Sequence, residues 1–371
     1  MDFTFTTEQD EAAELAATIL KDHCTNERQK AVEAEGHRFD RTLWKALADA
    51  GLLGIALPDE HGGGGMGLLE LTRVLVECGR VVAPVPIVVH TVAGLTVAEH
   101  GADAVRQALL PGAADGSTLL TVAAGEEREA LPEHPGTSAT PGEAGWRLDG
   151  TKTVVSAGAD ADAYLVTART DEASAVFLVR SDDTGVTVTP QNATDNERVA
   201  QLVLTDVALD DDRLVGATDG STVRWLHDRL TVATCAVHLG VVEGALSLTS
   251  GYARTREQFG RPIGSFQAVA QRLADGFIDV LGARLTLWQA AWRLAEGLPA
   301  ATEVAVAKLW AADAGHRLAH TTVHVHGGVG IDLDGEAHRF FTTAKRLEFT
   351  LGAGTEQALT VGRALATEPV A

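Results

Sequence analysis

Cysteine is scarce. Cys24, Cys78 and Cys235 are the only three in 371 residues, an odd number without metal-ligand spacing, which excludes a disulfide framework and suits a reducing cytoplasm. Positive charge is also short: 30 basic against 51 acidic side chains leave a net charge of -21, which argues against nucleic acid or an anionic membrane as the main partner. Any anionic ligand must therefore find a local basic pocket. A long hydrophobic run is missing too, since the most apolar stretch, Val81 to Ala98, is interrupted by Pro84, Pro86 and His90, so no membrane span is expected. The opening MDFTFTTEQDEAAE is acidic and lacks the basic and apolar regions of a secretory signal, which points to a cytoplasmic protein. There is no Gly-x-Ser-x-Gly elbow, no phosphate-binding loop with lysine and no nucleic-acid motif.

What is present is a globular composition, 45% hydrophobic and 22% charged. The length corresponds to about two or three packing units. Residues 8–54 carry Leu15, Ile19, Leu43, Leu47, Leu52 and Leu53 at helical spacing, and Pro58 and Gly62 to Gly65 then break the pattern. Helical stretches from Leu68 to Gly79 and from Ala93 to Leu110 follow, closed by Pro111 and Gly112. After Thr118 the character changes to short β-branched runs, LLTVAA, WRLDG, TVVSAG, AYLVTA, AVFLV, VTVTP and QLVLTDV. Residues 125–145, rich in Glu, Pro and Gly, read as a long loop among them. From about Thr222 the helical period returns, with breaks at Gly260 to Gly264, Gly297 to Pro299 and Gly327 to Gly335. The expectation is a mainly α chain with a middle β domain: a helical domain at 1–116, a β domain at 117–215 and a helical bundle at 216–371. This order excludes a Rossmann alternation.

Several segments then converge. LWKALADAGLLGIALPDEHGGGGMGLLELTRVLVECGRVVAPVP, WRLDGTKTVVSAGADADAYLVTA, QLVLTDVALDDDRLVG, YARTREQFGRPIGSFQAVAQRLAD and VHVHGGVGIDLDGEAHRFFTTAKRLEFTLGAGTEQ occur in this order over almost the whole chain. Together they resemble the acyl-CoA dehydrogenase family. The resemblance implies an N-terminal helical domain, a β-barrel-like middle domain and a C-terminal four-helix bundle. It also implies FAD, an acyl-CoA thioester undergoing α,β-dehydrogenation, and an electron-transfer flavoprotein as electron acceptor.

In that family one subunit holds the flavin ring and its neighbour contacts the pyrophosphate and adenine, so the two halves of the site can be judged separately. For the donated half, Arg256 offers a permanently charged fork for pyrophosphate oxygens, and Phe259 can pack on adenine. Phe266 and Gln267 match the next contact pair. His324, standing where the family usually has Gln, and Gly327 and Gly328 match the later glycine element. Taken singly, Arg256 reads as a solvated helix residue, His324 as a core histidine and the glycines as a turn; their joint order favours the site.

The ring-facing half is degraded. Where the family has a Thr-Glu-Pro-Gly-Ala-Gly-Ser-Asp-like loop, this chain has AAGEEREALPEHPGTSAT, and where it places Trp-Ile-Thr against the flavin, Val154, Val155 and Ser156 stand here. The carboxylate that removes the α-proton is also missing. One family position for it falls at Leu351, or at Gly352 to Ala353 with a one-residue gap, and the other at Leu230. Asp228 lies two residues from Leu230, about 200° around a helix, and the arginine that usually follows the base position is absent, with Thr231 in its register and Arg229 nearby. Glu348 and Glu356 are the weak alternatives for the base; the bland reading of all three acids is surface or helix-end carboxylates. His320, His324 and His326 have no carboxylate or cysteine to complete a tetrahedral set, so no metal is expected.

The resulting expectation is a base-lacking subunit of an α2β2 hetero-oligomer, similar to the actinobacterial heterotetrameric acyl-CoA dehydrogenases of steroid side-chain degradation. A homologous partner would bring the catalytic glutamate. The alternatives are a self-sufficient homomeric enzyme with a relocated base, and a structural subunit without cofactor contact.

Overall fold

The computed structural model describes residues 4–36, 38–132, 134–142 and 145–367. Helices precede a β-sheet and helices follow it, as the change in hydrophobic period requires. The first helices are α1 (Thr7–His23), α2 (Asn26–Ala34), α3 (Arg41–Asp49), α4 (Leu68–Arg80), α5 (Ile87–His100) and α6 (Asp103–Ala114). The strands are β1 (Leu120–Ala123), β2 (Ser138–Gly142), β3 (Gly145–Ser156), β4 (Ala163–Arg169), β5 (Ser174–Arg180), β6 (Val186–Asn192), β7 (Arg198–Leu209) and β8 (Leu214–Val215). Then come α7 (Ser221–Thr255), the two-residue strands β9 (Glu257–Gln258) and β10 (Arg261–Pro262), α8 (Gln267–Ala295), α9 (Ala301–His326), α10 (Ala337–Phe349) and α11 (Gly354–Thr367). The chain forms two compact units, one of Val32–Leu71 with Pro84–Leu230, the other of Met1–Ala31, Thr72–Ala83 and Thr231–Ala371.

The first of these units is built on the sheet, whose strand order is β6-β7-β3-β2-β4-β5-β8, with β1 parallel to β4. β4 and β5 are buried along six consecutive residues each, so both faces are covered and the strands read as continuous apolar runs. Beside it, α3 starts at Asp40, whose carboxylate accepts from the Thr42 and Leu43 amides at 2.9 and 3.2 Å, and it buries Leu43, Trp44 and Leu47. His90 on α5 ties α6 and β1 together: its Nε2 bonds the Ala113 carbonyl at 2.9 Å and its Nδ1 accepts the Leu120 amide at 3.2 Å.

In the other unit α9 is central, with α8, α10 and α11 packed on it. Val241 and Ala245 of α7, Ala319 of α9, and Phe340, Ala344 and Leu347 of α10 form a buried cluster with Val82. The end of α4 meets the middle of α7 at Gly79 and Gly240, where an added Cβ would lie 2.1 Å from the Val237 carbonyl oxygen and 2.0 Å from that of Val76; only glycine permits this approach. α1 opens on a reciprocal capping box between Thr6 and Gln9. Among the described residues one helix, α7, is long and apolar enough to cross a membrane, but 72% of its apolar window is buried within the protein, as in a core helix.

Three local expectations are corrected. The 125–145 segment contains β2, which lacks an apolar alternation and exists by antiparallel pairing of Ser138–Gly142 with β3. The stretch expected as one helix from Ala93 to Leu110 is two, α5 and α6, separated at Gly101. Pro111 does not close α6 but lies inside it, three residues before the end, where its missing N–H costs one bond and the buried Leu109, Leu110, Ala113 and Ala114 hold the turn.

Candidate functional site

The end of α7 forms a compact device. The Arg256 amide donates to the Tyr252 carbonyl and the Arg256 carbonyl accepts from the Ile263 amide, each at 2.8 Å, so this residue closes the loop that carries β9 and β10. The two strands pair Gln258 with Arg261, leaving Phe259 and Gly260 as a two-residue turn with φ of 54° and 77°. That is the type I′ geometry, which glycine and asparagine favour and phenylalanine does not. Phe259 is nevertheless there and 93% exposed. Its ring meets Phe266 edge-on at 6.2 Å, and the Arg261 guanidinium lies 4.2 Å over the Phe266 ring. Arg256 and Gln267 are exposed, and among the described residues their side chains make no hydrogen bond or ion pair.

α9 ends beside this device. Tyr252 of α7 and His326 of α9 stack with centroids 4.3 Å apart and planes 22° from parallel. Gly327 follows with φ +66° and Gly328 next, and neither has an atom within 4 Å of where a Cβ would stand, so bare backbone faces open space. His324 is exposed. The expected donated-half residues thus gather on the ends of α7 and α9 and the start of α8, with an unpaired guanidinium, an unpaired amide and an exposed aromatic ring among them.

The residues expected at a ring-facing half are differently occupied. β3 shifts register between Lys152 and Val155, and the irregularity puts Val154 at φ 53° and 64% exposure. A β-branched residue in that region is strained. The hydroxyl of Ser156 donates to the Glu197 carboxylate. The segment after β1 is pinned by Glu126, whose carboxylate takes the Gly136 and Thr137 amides at 2.6 and 2.9 Å and the Lys152 ammonium at 2.7 Å. Burial works to raise the Glu126 carboxyl, but the bonds from Lys152 and Thr137 outweigh it and bring the group down to about 2.

At the positions where a base was sought, Leu230 is buried, Leu351 adopts φ 61° and Gly352 φ 94°. Glu348 is bound to His316 Nδ1 at 3.0 Å and Lys345 Nζ at 2.5 Å, and Glu356 accepts the Ala353 amide at the start of α11. Asp228 is half-buried, and loss of solvent raises its carboxyl to about 6 against the pull of Arg229 and Arg224. Arg229 itself lies 3.6 Å over the Trp225 ring, and burial brings its guanidinium down to about 10. Of the histidines, His320 packs on His316 and Phe341, while His326 is the one on Tyr252.

Sequence reasoning missed the Tyr252–His326 stack, the Glu126–Lys152 pin and the Ser156–Glu197 bond. Lys152 carried no sequence signal, since β3 also holds Arg147 and Asp149, and all three needed the third dimension.

A helical opening, a mixed sheet and a closing helical bundle define the three-domain architecture of the acyl-CoA dehydrogenase fold. The N-terminal, middle and C-terminal domain patterns of the acyl-CoA dehydrogenases match residues 6–117, 123–207 and 224–366, and the chain belongs to the acyl-CoA dehydrogenase family. It is 47% identical over 378 residues to the acyl-CoA dehydrogenase FadE27 of Mycobacterium tuberculosis, covering 100% of both chains. A chain in the crystal structure of the ChsE4-ChsE5 complex from Mycobacterium tuberculosis superposes with a TM-score of 0.95 at 48% identity, again over 100% of both. A chain of a Tcur3481-Tcur3483 steroid ACAD variant gives 0.92 at 42% identity, covering 97% of this chain and 98% of that one.

Proposed function

We propose that this chain is the base-lacking subunit of an α2β2 acyl-CoA dehydrogenase, supplying the pyrophosphate and adenine half of an interfacial FAD site while a homologous partner supplies the ring pocket and the catalytic glutamate. The observation that carries this is the asymmetry within one chain. The donated half keeps an unpaired Arg256, an exposed Phe259, an unpaired Gln267 and the open backbone of Gly327 and Gly328. His324 and Phe266 complete that half. In the ring-facing half the one surviving hydroxyl, that of Ser156, is spent on Glu197, and leucines stand at both expected base positions.

The donor set fits a dinucleotide: a guanidinium and unobstructed glycine amides suit pyrophosphate, and a projecting phenyl ring suits adenine. The chemistry supplied by bound FAD is acceptance of the β-hydride at its ring, opposite a carboxylate that takes the α-proton. The two weak candidates for that second role are engaged elsewhere. Glu348 is held by His316 and Lys345, and Glu356 by its own helix start. The helical, β and helical domains are taken as 1–116, 117–215 and 216–371, the enzyme as cytoplasmic, and the electron acceptor as an electron-transfer flavoprotein.

The substrate class is an acyl-CoA with a steroid side chain. Support comes from the two structural relatives: both are described as assemblies of two named components, and one as a steroid ACAD. The test is co-expression with a homologous subunit that has a glutamate at the base position, followed by counting FAD per chain. The expected result is one FAD for every two chains, with activity confined to the mixed oligomer. One FAD per chain in an active pure homomer would overturn the proposal in favour of a relocated base.

A further inference from the structure

We infer that Tyr252 and His326 are positioning residues, which hold the ends of α7 and α9 in the one register that lets Arg256 and the Gly327–Gly328 backbone act on the same pyrophosphate. The inference rests on the reading that this chain grips the dinucleotide tail, and it assigns the two residues a role through their stacked rings rather than through a bond to the ligand.

Each half of the stack is fixed from its own side. The Tyr252 carbonyl accepts the Arg256 amide at 2.8 Å, so the ring platform and the guanidinium are one helical turn apart on a hydrogen-bonded backbone. His326 Nδ1 lies 2.8 Å from the Thr322 carbonyl. A carbonyl can only accept, so Nδ1 carries the proton and the ring plane is locked to α9. The next residue is Gly327, where the backbone turns to φ +66° and ψ -141°. A displacement of the imidazole is therefore a displacement of the glycine amides.

A second rung lies one turn earlier, where the Thr249 hydroxyl donates to the Ala245 carbonyl at 2.7 Å and accepts from the Thr322 hydroxyl at 3.1 Å. Two rungs, one polar and one aromatic, thus set both translation and rotation of α7 against α9. The aromatic rung is the outer one, nearest Arg256 and Gly327. Charge-assisted bonds to phosphate oxygens depend steeply on distance and direction, so a loosened rung costs affinity without removing any donor.

The experiment uses the co-expressed mixed oligomer. FAD is removed and its rebinding followed by flavin fluorescence, while native mass spectrometry records the assembly state and a thermal melt of the apo-oligomer records folding. Tyr252→Leu, which keeps apolar bulk but loses the flat face, is expected to weaken FAD binding about fivefold to tenfold with the oligomer intact. Tyr252→Phe should bind as the parent does, because the stack and not the hydroxyl is used. His326→Phe, which keeps the stack but loses the bond to the Thr322 carbonyl, should retain more binding than His326→Leu.

Arg256→Ala is the reference. If it weakens FAD binding and Tyr252→Leu does not, the positioning role is wrong while the functional reading stands. Unchanged binding in Arg256→Ala overturns the functional reading itself and the positioning role with it. Should the leucine variants instead lower the apo-oligomer melt or break up the assembly in step with their loss of FAD, the residues are merely structural and the inference fails.

Discussion

Lys152 is fully enclosed, and its three donors are spent on the Ala124 carbonyl and the Thr167 hydroxyl, each at 3.2 Å, and on Glu126 at 2.7 Å. Burial pushes its ammonium down to about 8, with Glu126 pulling the other way. An ion pair this deep adds little over an apolar pair of the same volume, yet breaking it strands a charge. Glu126→Gln is therefore expected to destabilise the sheet-bearing unit by about 3 kcal/mol in urea titration. The double change Glu126→Leu with Lys152→Met should recover most of that. Glutamine keeps one acceptor oxygen and leucine none, so hydrogen exchange should rise at one of the Gly136 and Thr137 amides in Glu126→Gln and at both in the double variant. Equal stability of Glu126→Gln and the parent would mean that water reaches Lys152, contrary to the closure seen here.

Among the elements, the β9–β10 hairpin carries the clearest conflict between stability and use. A type I′ turn favours asparagine or glycine at its first central position, but Phe259 occupies it with its ring in solvent. Phe259→Asn should leave the apo-oligomer melt unchanged or raise it, by up to about 1 kcal/mol in stability, while FAD is retained less well. Undiminished FAD retention would remove Phe259 from the cofactor face. The same elements show what a sequence discloses. The alternation of helix, sheet and helix was legible because the hydrophobic period changes from 3.6 to 2 and back, and the segments around Arg256 and Gly327 were legible because their order is distinctive. β2 was hidden, since its stability comes from its partner strand and not from its own composition. The continuation of α6 through Pro111 was hidden for a similar reason: burial of its neighbours outweighs the local penalty. The Tyr252–His326 stack joins residues 74 apart, a distance no periodicity spans.

At the scale of the whole molecule the buried histidines set the acid limit. His90 and His227 are held down at about 4 by loss of solvent, in His90 against the pull of its bond to the Ala113 carbonyl. His238 is driven well below the usual value, chiefly by burial and then by Lys308 and Arg346. Neither of its ring nitrogens has a hydrogen-bond partner among the described residues, and the ring sits against Gly315, where a Cβ would be 2.0 Å from Nε2. These three bases protonate near pH 6.5 once unfolded but not while folded, so their contribution is intact above 6.5 and is lost as pH falls toward 4. Asp228 works in the opposite sense: its raised pKa of about 6 means that the folded state takes up a proton first. Between pH 6.5 and 5 the unfolded chain takes up protons on these histidines that the folded chain does not. His100 and His320, also lowered by burial, act in the same sense, and Asp228 offsets part of this, so stability should fall as pH is lowered through this window. Urea midpoints at pH 7.5, 6 and 5 measure this slope. His238→Leu removes one of these groups and an unsatisfied buried imidazole together, so it should lessen the slope and also raise stability at pH 7.5 by about 1 kcal/mol. A profile that stays flat from 7.5 to 5 would show the imidazoles reaching solvent before the chain unfolds.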